Sequence, residues 1–431
     1  MKRRAINELI TWKNSNSSKP FLLTGAKGVG KTYLAYDFAK AFFERIFYVN
    51  FERETGAANV FHSGDIAGNT NRILTYFAID RDSLPESRIL LLDEITIDSN
   101  IVKALIILKD SGIFPYIISI SSTPVALEIK NNFYHKSIYP MEFDEFLLAT
   151  GNEWYIEAII NHYEANKKIP EIVHKELLAL QQIYMQIGGM PGIINEYLSL
   201  SSLVNVSEQH CLLIGSYHDY ILKDNFESDA LRMNQVFDSL ALQLMKENKK
   251  FQYKLIRKGT TNSMYKEAIQ NLVERNYIIQ CNKIILEQLQ GPKNTYKAIE
   301  IIKDEVNTNF KLYLPDTGLL YTKMVEEKGI NFGKNIQKAL LENYVAQSLH
   351  SKGYQLQFWE SDSMAKVDFI VIKDKELIPL EIYNSDNTRS KSISVLKQRC
   401  DFPYSIKISS KNFEYTNQIK YVPYYAVFCL L

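Results

Sequence analysis

Eight residues near the start of the chain, GAKGVGKT (25–32), place glycines, a lysine and a threonine in the order GxxxxGK[ST]. Glycines at such spacing let a loop wrap a phosphate with its backbone N–H groups turned inward, where side chains would crowd the oxygens. Lys31 is then set to reach β- and γ-phosphates, and the Thr32 hydroxyl to ligate Mg²⁺. The expected ATP-binding segment is Gly25, Ala26, Lys27, Gly28, Val29, Gly30, Lys31, Thr32 and Tyr33. A second carboxylate site is needed on a neighbouring strand, and ILLLDE (89–94) offers it. Asp93 is placed to hold the Mg²⁺ shell and Glu94 to polarise an attacking water, a pair that points to hydrolysis with Lys31 and Glu94 as the catalytic groups.

The elements around these residues fit the chemistry. Phe21, Leu22 and Leu23 supply a short buried strand before the loop, and the apolar spacing of TYLAYDFAKAFF after it predicts a helix whose N-terminus faces the phosphate. The unbroken apolar run before Asp93 is what a parallel strand covered on both faces looks like. RIFYVNFE (45–52) and FPYIISISS (114–122) extend the same sheet, the latter after a helix ended by Gly112. Ser121 and Ser122 close that strand where a polar residue can sense a γ-phosphate.

Composition bounds the rest. A chain of 431 residues, 46% apolar and 23% charged, is long enough for two to four globular domains. A net charge of +1 excludes a global field steering the protein to nucleic acid or membrane. Cys211, Cys281, Cys400 and Cys429 never form CxxC, which argues against a zinc site or disulfide framework and fits a reducing cytoplasm. The start, MKRRAINELITW, is basic, but Asn7, Glu8 and Thr11 interrupt the apolar core a signal peptide requires. No apolar run nears the roughly 18 residues that cross a bilayer, so no membrane association is expected. His62, His135 and His350 form no ligand pair and read as structural or surface groups. The 27 Tyr and 22 Phe read as core filling.

In this order, the landmarks resemble a family of prokaryotic AAA-like ATPases with a C-terminal domain related to PD-(D/E)XK nucleases. LLTGAKGVGKT, YVNFE, LLLDEI, IYPMEFDEF (138–146), IGGMPG (187–192) and KLYLPDTGLL (311–320) carry the resemblance across nearly the whole chain. It implies an α/β fold in four parts: an ATPase core with a parallel sheet (1–151), a helical lid (152–226), a winged-helix-like domain and linker (227–325), and a nuclease-like α/β domain (326–431). Such ATPases usually carry a Gly-Arg pair before the proline segment, whereas FYHKSIYPMEF offers only Lys136. Their Thr-Gly-Ser is replaced by Ser119, Ile120 and Ser121, so hydrolysis is expected to be slow or to use an arginine from elsewhere.

Residues 152 to 305 read as mostly helical, ending in the helix, helix, hairpin order of a winged helix. Within them, 246–258 gathers Lys246, Lys249, Lys250, Lys254, Arg257 and Lys258 against Glu247, the expected DNA contact if DNA is the partner; a protein partner is the alternative. At the end of the chain, the resemblance assigns Glu342, Asp368 and Glu381 to a metal-binding acid set. The lysine that would follow two residues after the last acid is Tyr383 here, and a phenol does not supply that charge. The expectation is a nuclease-like fold with little or no cleavage. The oligomeric state stays open. Three readings follow: an ATPase coupled to that module, a nucleotide-gated switch that grips DNA or protein with little turnover, and a metal-dependent endonuclease.

Overall fold

The computed structural model describes residues 2–15, 19–61, 66–79, 87–97, 99–200, 203–286, 309–329, 333–361 and 364–431. The chain divides into two compact units, Met1–Tyr139 and Pro140–Leu431.

The first unit is built on five parallel strands in the order β2-β3-β4-β1-β5. Helix α1 (Ile6–Asn14) leads into β1 (Phe21–Thr24), then α2 (Lys31–Phe42), β2 (Arg45–Asn50), α3 (Ile66–Tyr76), β3 (Arg88–Asp93), α4 (Ser99–Asp110), β4 (Tyr116–Ser121), the short α5 (Leu127–Lys130) and β5 (Tyr134–Ser137). β1 and β3 are buried along their whole length, as their continuous apolar runs require of strands covered on both faces. Leu22, Val49, Leu90, Leu92, Leu105 and Ile117 belong to one buried apolar cluster. Trp12 packs edge-on against Phe21 and Tyr116, with centroids 5.4 and 5.8 Å away, and donates its indole N–H to the Lys19 carbonyl at 2.9 Å. Parallel pairing in this order brings the C-terminal ends of β1, β3 and β4 side by side, with Leu23 opposite Ile120 and Asp93 opposite Ile120 across β4.

The second unit opens with helices: α6 (Phe143–Ala149), α7 (Trp154–Ala165), α8 (Glu171–Ile187), α9 (Pro191–Leu200), α10 (Leu203–Asp224), α11 (Glu227–Leu244) and α12 (Asn262–Glu274). β6 (Ile279–Lys283), β7 (Phe310–Tyr313), α13 (Thr317–Lys328), α14 (Lys334–Ser351), β8 (Leu356–Glu360), β9 (Lys366–Lys373), β10 (Glu376–Ile382), α15 (Ser392–Lys397), β11 (Ser405–Ser409), β12 (Glu414–Thr416) and β13 (Ile419–Pro423) follow. The strands form one mixed sheet, β12-β13-β11-β10-β9-β8-β6-β7. β6 pairs antiparallel with β7 and parallel with β8, so the two strands at this edge of the mixed sheet join β6, inside the expected hairpin, to β7, which lies beyond it in the chain. The tail of that expected hairpin, 287–289, and His62 lie outside the described residues. Among the described residues no helix is long and apolar enough to cross a membrane.

Candidate functional site

The loop between β1 and α2 is shaped by three glycines in the left-handed region, Gly25 (φ +143°), Gly28 (+86°) and Gly30 (+89°). A Cβ on Gly25 would lie 2.2 Å from the Ile138 carbonyl oxygen, so only glycine fits that crossing. The buried guanidinium of Arg3 clamps the loop by donating to the carbonyls of Val29 (2.7 Å) and Tyr139 (2.8 Å). In the sequence Arg3 is only part of a basic start, and nothing in its local spacing marks this role.

Lys31, 5% exposed at the first turn of α2, donates all three ammonium protons, to the carbonyls of Gly25 (2.8 Å) and Ala26 (3.0 Å) and to Ser122 Oγ (2.9 Å). Burial lowers its pKa to about 8, against the opposing pull of Glu94 and Asp93. The Thr32 hydroxyl donates to Asp93 Oδ2 at 2.8 Å. That same oxygen accepts from Tyr48 Oη (3.0 Å) and Asn50 Nδ2 (3.3 Å), both on β2. Burial nonetheless raises the Asp93 carboxyl above its ordinary value. A hydroxyl beside a carboxylate is a hard oxygen donor pair of the kind Mg²⁺ takes, so these residues fit the ion.

Glu94 follows β3 in the left-handed region (φ +58°). Its carboxylate accepts the Ser122 N–H (3.0 Å) and the Ser122 hydroxyl (2.6 Å). Ser122 therefore ties Lys31 to Glu94, a link that its position just past β4 suggested only as a polar strand end. Lys27 lies 2.6 Å from Glu52 and 3.8 Å from Glu94, with its side chain 15% exposed. Tyr33 is half exposed. Lys136, on β5, pairs with Glu8 at 2.8 Å. Thr24 at the end of β1 bonds His135 Nε2 (2.8 Å) and Ser137 Oγ (3.2 Å) on the same edge strand.

The C-terminal unit gathers the other sequence-selected acids in a cavity of about 250 Å³. Glu342 on α14 is 1% exposed and faces Lys249 (3.0 Å), Lys311 (3.7 Å) and Lys338 (3.9 Å). Burial alone would raise this carboxyl, but the three lysines outweigh it and hold Glu342 well below the carboxylate range. Asp368 on β9 pairs with Lys338 at 3.2 Å and accepts the Ile382 N–H at 2.8 Å. Glu381 on β10 accepts from Tyr383 Oη (2.6 Å) and Ser390 Oγ (2.9 Å), with Lys407 3.6 Å away. Lys407 stands directly opposite Glu381 in the β10–β11 register. Lys366 lines the cavity but is exposed. Among the described residues no group of three or more His, Cys, Asp or Glu is arranged to hold a metal ion. Of the basic stretch, Lys249 and Lys250 turn into this cavity, while Lys246, Lys254, Arg257 and Lys258 are exposed.

Residues 17–147 match a family described as an AAA domain; 179–328 and 337–427 match two domains of unknown function, DUF8612 and DUF4143. No curated protein matches the sequence. Similar solved structures include the Walker-type ATPase PABY2304 of Pyrococcus abyssi, 14% identical over 75% of this chain and 95% of that one, at a TM-score of 0.39. The Aeropyrum pernix Orc1 protein in complex with DNA is 11% identical over 76% and 93%, at 0.32. The family match and the glycine loop with its Thr32–Asp93 contact agree in giving residues 17–147 the features of an AAA-like P-loop domain.

Proposed function

We propose that the protein binds ATP with Mg²⁺ and hydrolyses it slowly, coupling the cycle to its C-terminal unit. The observation that supports this most is the direct contact of Thr32 with Asp93 beside a loop that buries Lys31. Loop N–H groups and Lys31 would bind the phosphates, and Thr32 and Asp93 would hold the ion, which when bound neutralises phosphate charge. Glu94 would orient and accept a proton from the attacking water. The parts expected at 1–151, 152–226, 227–325 and 326–431 would be the core, lid, winged-helix-like domain and nuclease-like module, in a cytoplasmic protein.

A second reading, the nucleotide-gated switch with little turnover, is favoured by one contact. Ser122 holds the Glu94 carboxylate through two hydrogen bonds, so Glu94 must be released before it can work on water. The endonuclease reading draws no support from the cavity, where lysines meet all three acids. DNA, through the exposed cations of 246–258, and a protein remain the two partner classes.

Steady-state ATP hydrolysis by purified protein with Mg²⁺, with and without duplex DNA, tests the reading. We expect slow turnover in the wild type, and in Glu94→Gln retained ATP binding with turnover down about 100-fold or more. Full turnover in Glu94→Gln would remove Glu94 from its role. Tight binding without turnover in the wild type would select the switch, and stimulation by DNA would make DNA the partner.

A further inference from the structure

Moving a γ-phosphoryl group to water spreads negative charge over its oxygens and the bridging oxygen, and ATPases commonly meet that charge with an added cation. The cation that sequence position suggests, Lys136, and the buried arginine beside the loop, Arg3, are both engaged elsewhere. Lys136 pairs with Glu8, and the Arg3 guanidinium is bonded to two backbone carbonyls. Lys31 is the binding lysine of the loop, so the added charge must have another source.

Lys27 is in place to supply it. It is the second residue after Gly25 in the phosphate loop, and its ammonium lies between two carboxylates, 2.6 Å from Glu52 and 3.8 Å from Glu94. On the ATPase reading, on which this inference rests, Glu94 faces the attacking water. A cation within ion-pair distance of Glu94 therefore sits at the γ-phosphate end of the loop. We propose that Lys27 is a catalytic residue that acts in cis, moving from its resting pair with Glu52 onto the γ-phosphate oxygens. In the step itself the water oxygen bonds to the γ-phosphorus while the bond to the β–γ bridging oxygen breaks. The electron pair leaves with ADP, the water proton passes to Glu94, and Lys27 stays protonated throughout. An ammonium on a four-carbon stem can make this short swing without backbone change, and the incoming triphosphate carries more negative charge than the one carboxylate it replaces. The Lys27–Glu52 pair reaches solvent at both side chains, 15% and 21% exposed, so Lys27 can leave it without becoming a buried unpaired charge. A purely structural Lys27 would leave kcat alone.

The test compares wild type, Lys27→Gln and Lys27→Arg in the full chain. It measures kcat, the Kd of a fluorescent ATP analogue, trapping of ADP with aluminium fluoride and Mg²⁺, and the thermal midpoint. We expect Lys27→Gln to bind the analogue within about threefold of wild type, to lose kcat by about 100-fold or more, and to fail to trap the fluoride complex. Lys27→Arg should keep trapping and most of the turnover. Wild-type kcat in Lys27→Gln overturns the proposal while leaving the ATPase reading intact. Loss of analogue affinity equal to the loss of kcat/KM also overturns it, making Lys27 a ground-state binding group. A wild type that binds the analogue but neither turns over nor traps overturns the ATPase reading and Lys27's role with it. Should Lys27→Gln lack a thermal transition, the Arg variant decides: turnover and trapping within about tenfold of wild type support the proposal, and loss of both with folding intact overturns it.

Discussion

Lys31 pays for its burial with a weakened proton, and that sets how the site answers to pH. Its folded-state pKa lies at about 8, below the ordinary lysine value of 10.5, because burial disfavours the charged form. Only the ammonium form holds phosphate well. ATP affinity should thus be flat below pH 8 and fall roughly tenfold per pH unit above it. For the nucleotide-free protein the sign is opposite. The unfolded chain holds the proton more tightly, so between pH 8 and 10.5 this group makes folding more favourable as pH rises. Analogue titrations and urea melts across pH 7 to 10 check both trends, and Lys31→Ala should flatten them. At this scale the sequence exposes what local spacing encodes, the loop, Thr32 and Asp93. It hides what distant residues bring: Arg3 on the loop carbonyls, Tyr48 and Asn50 on Asp93, and Ser122 between Lys31 and Glu94.

Among the elements, long apolar runs such as β3 announce themselves, while β5 (YHKS) does not, because an edge strand half in solvent needs no apolar pattern. The expected hairpin shows the same limit. Only β6 lies within the residues read as a hairpin; its partners β7 and β8 come from further along the chain, β8 with Leu356 opposite Cys281, and such pairing leaves no local signal. The IGGMPG turn was legible as a turn, and its reason lies in the second unit's packing. Gly188 (φ +74°) and Gly189 close against Asp316, whose buried carboxylate accepts the Gly189 N–H (2.6 Å) and the Leu319 N–H (3.1 Å). A Cβ on Gly188 would fall 2.2 Å from Asp316 Oδ1, and the backbone there is one that L side chains rarely adopt. Gly188→Ala should therefore destabilise the second unit by about 3 kcal/mol or more. A urea titration followed by tryptophan fluorescence and circular dichroism reads this. An unchanged midpoint would mean the turn relaxes freely. Burial also lifts the Asp316 pKa to about 6, so this group favours folding most fully below pH 3.8 and loses that contribution as pH rises through 6.

At the scale of the chain, the C-terminal cavity is assembled from parts far apart in sequence: Lys249 after α11, Lys311 on β7, Lys338 on α14 and Lys407 on β11 meet acids from α14, β9 and β10. The acids were legible as a set; the lysines were not, since only the fold brings them within reach. If those lysines are what balances Glu342, the carboxylate is a structural anion, and its removal leaves three ammonium groups converging on a neutral amide. Breaking a buried charge set in this way is costly, about 3 kcal/mol or more. Glu342→Gln should lower the urea midpoint of the full chain accordingly, with no dependence on added Mg²⁺ in either wild type or variant. The pH course has a definite sign. The folded Glu342 carboxyl is held below its ordinary 4.5, so it stabilises the fold above pH 4.5 and loses that contribution as pH falls further. The wild type should thus become less stable below pH 4.5 more steeply than Glu342→Gln does. Stabilisation of the wild type by Mg²⁺ that is absent in the variant would instead mean that the cavity exchanges its lysines for a metal, returning the three acids to the role their order in the sequence suggested.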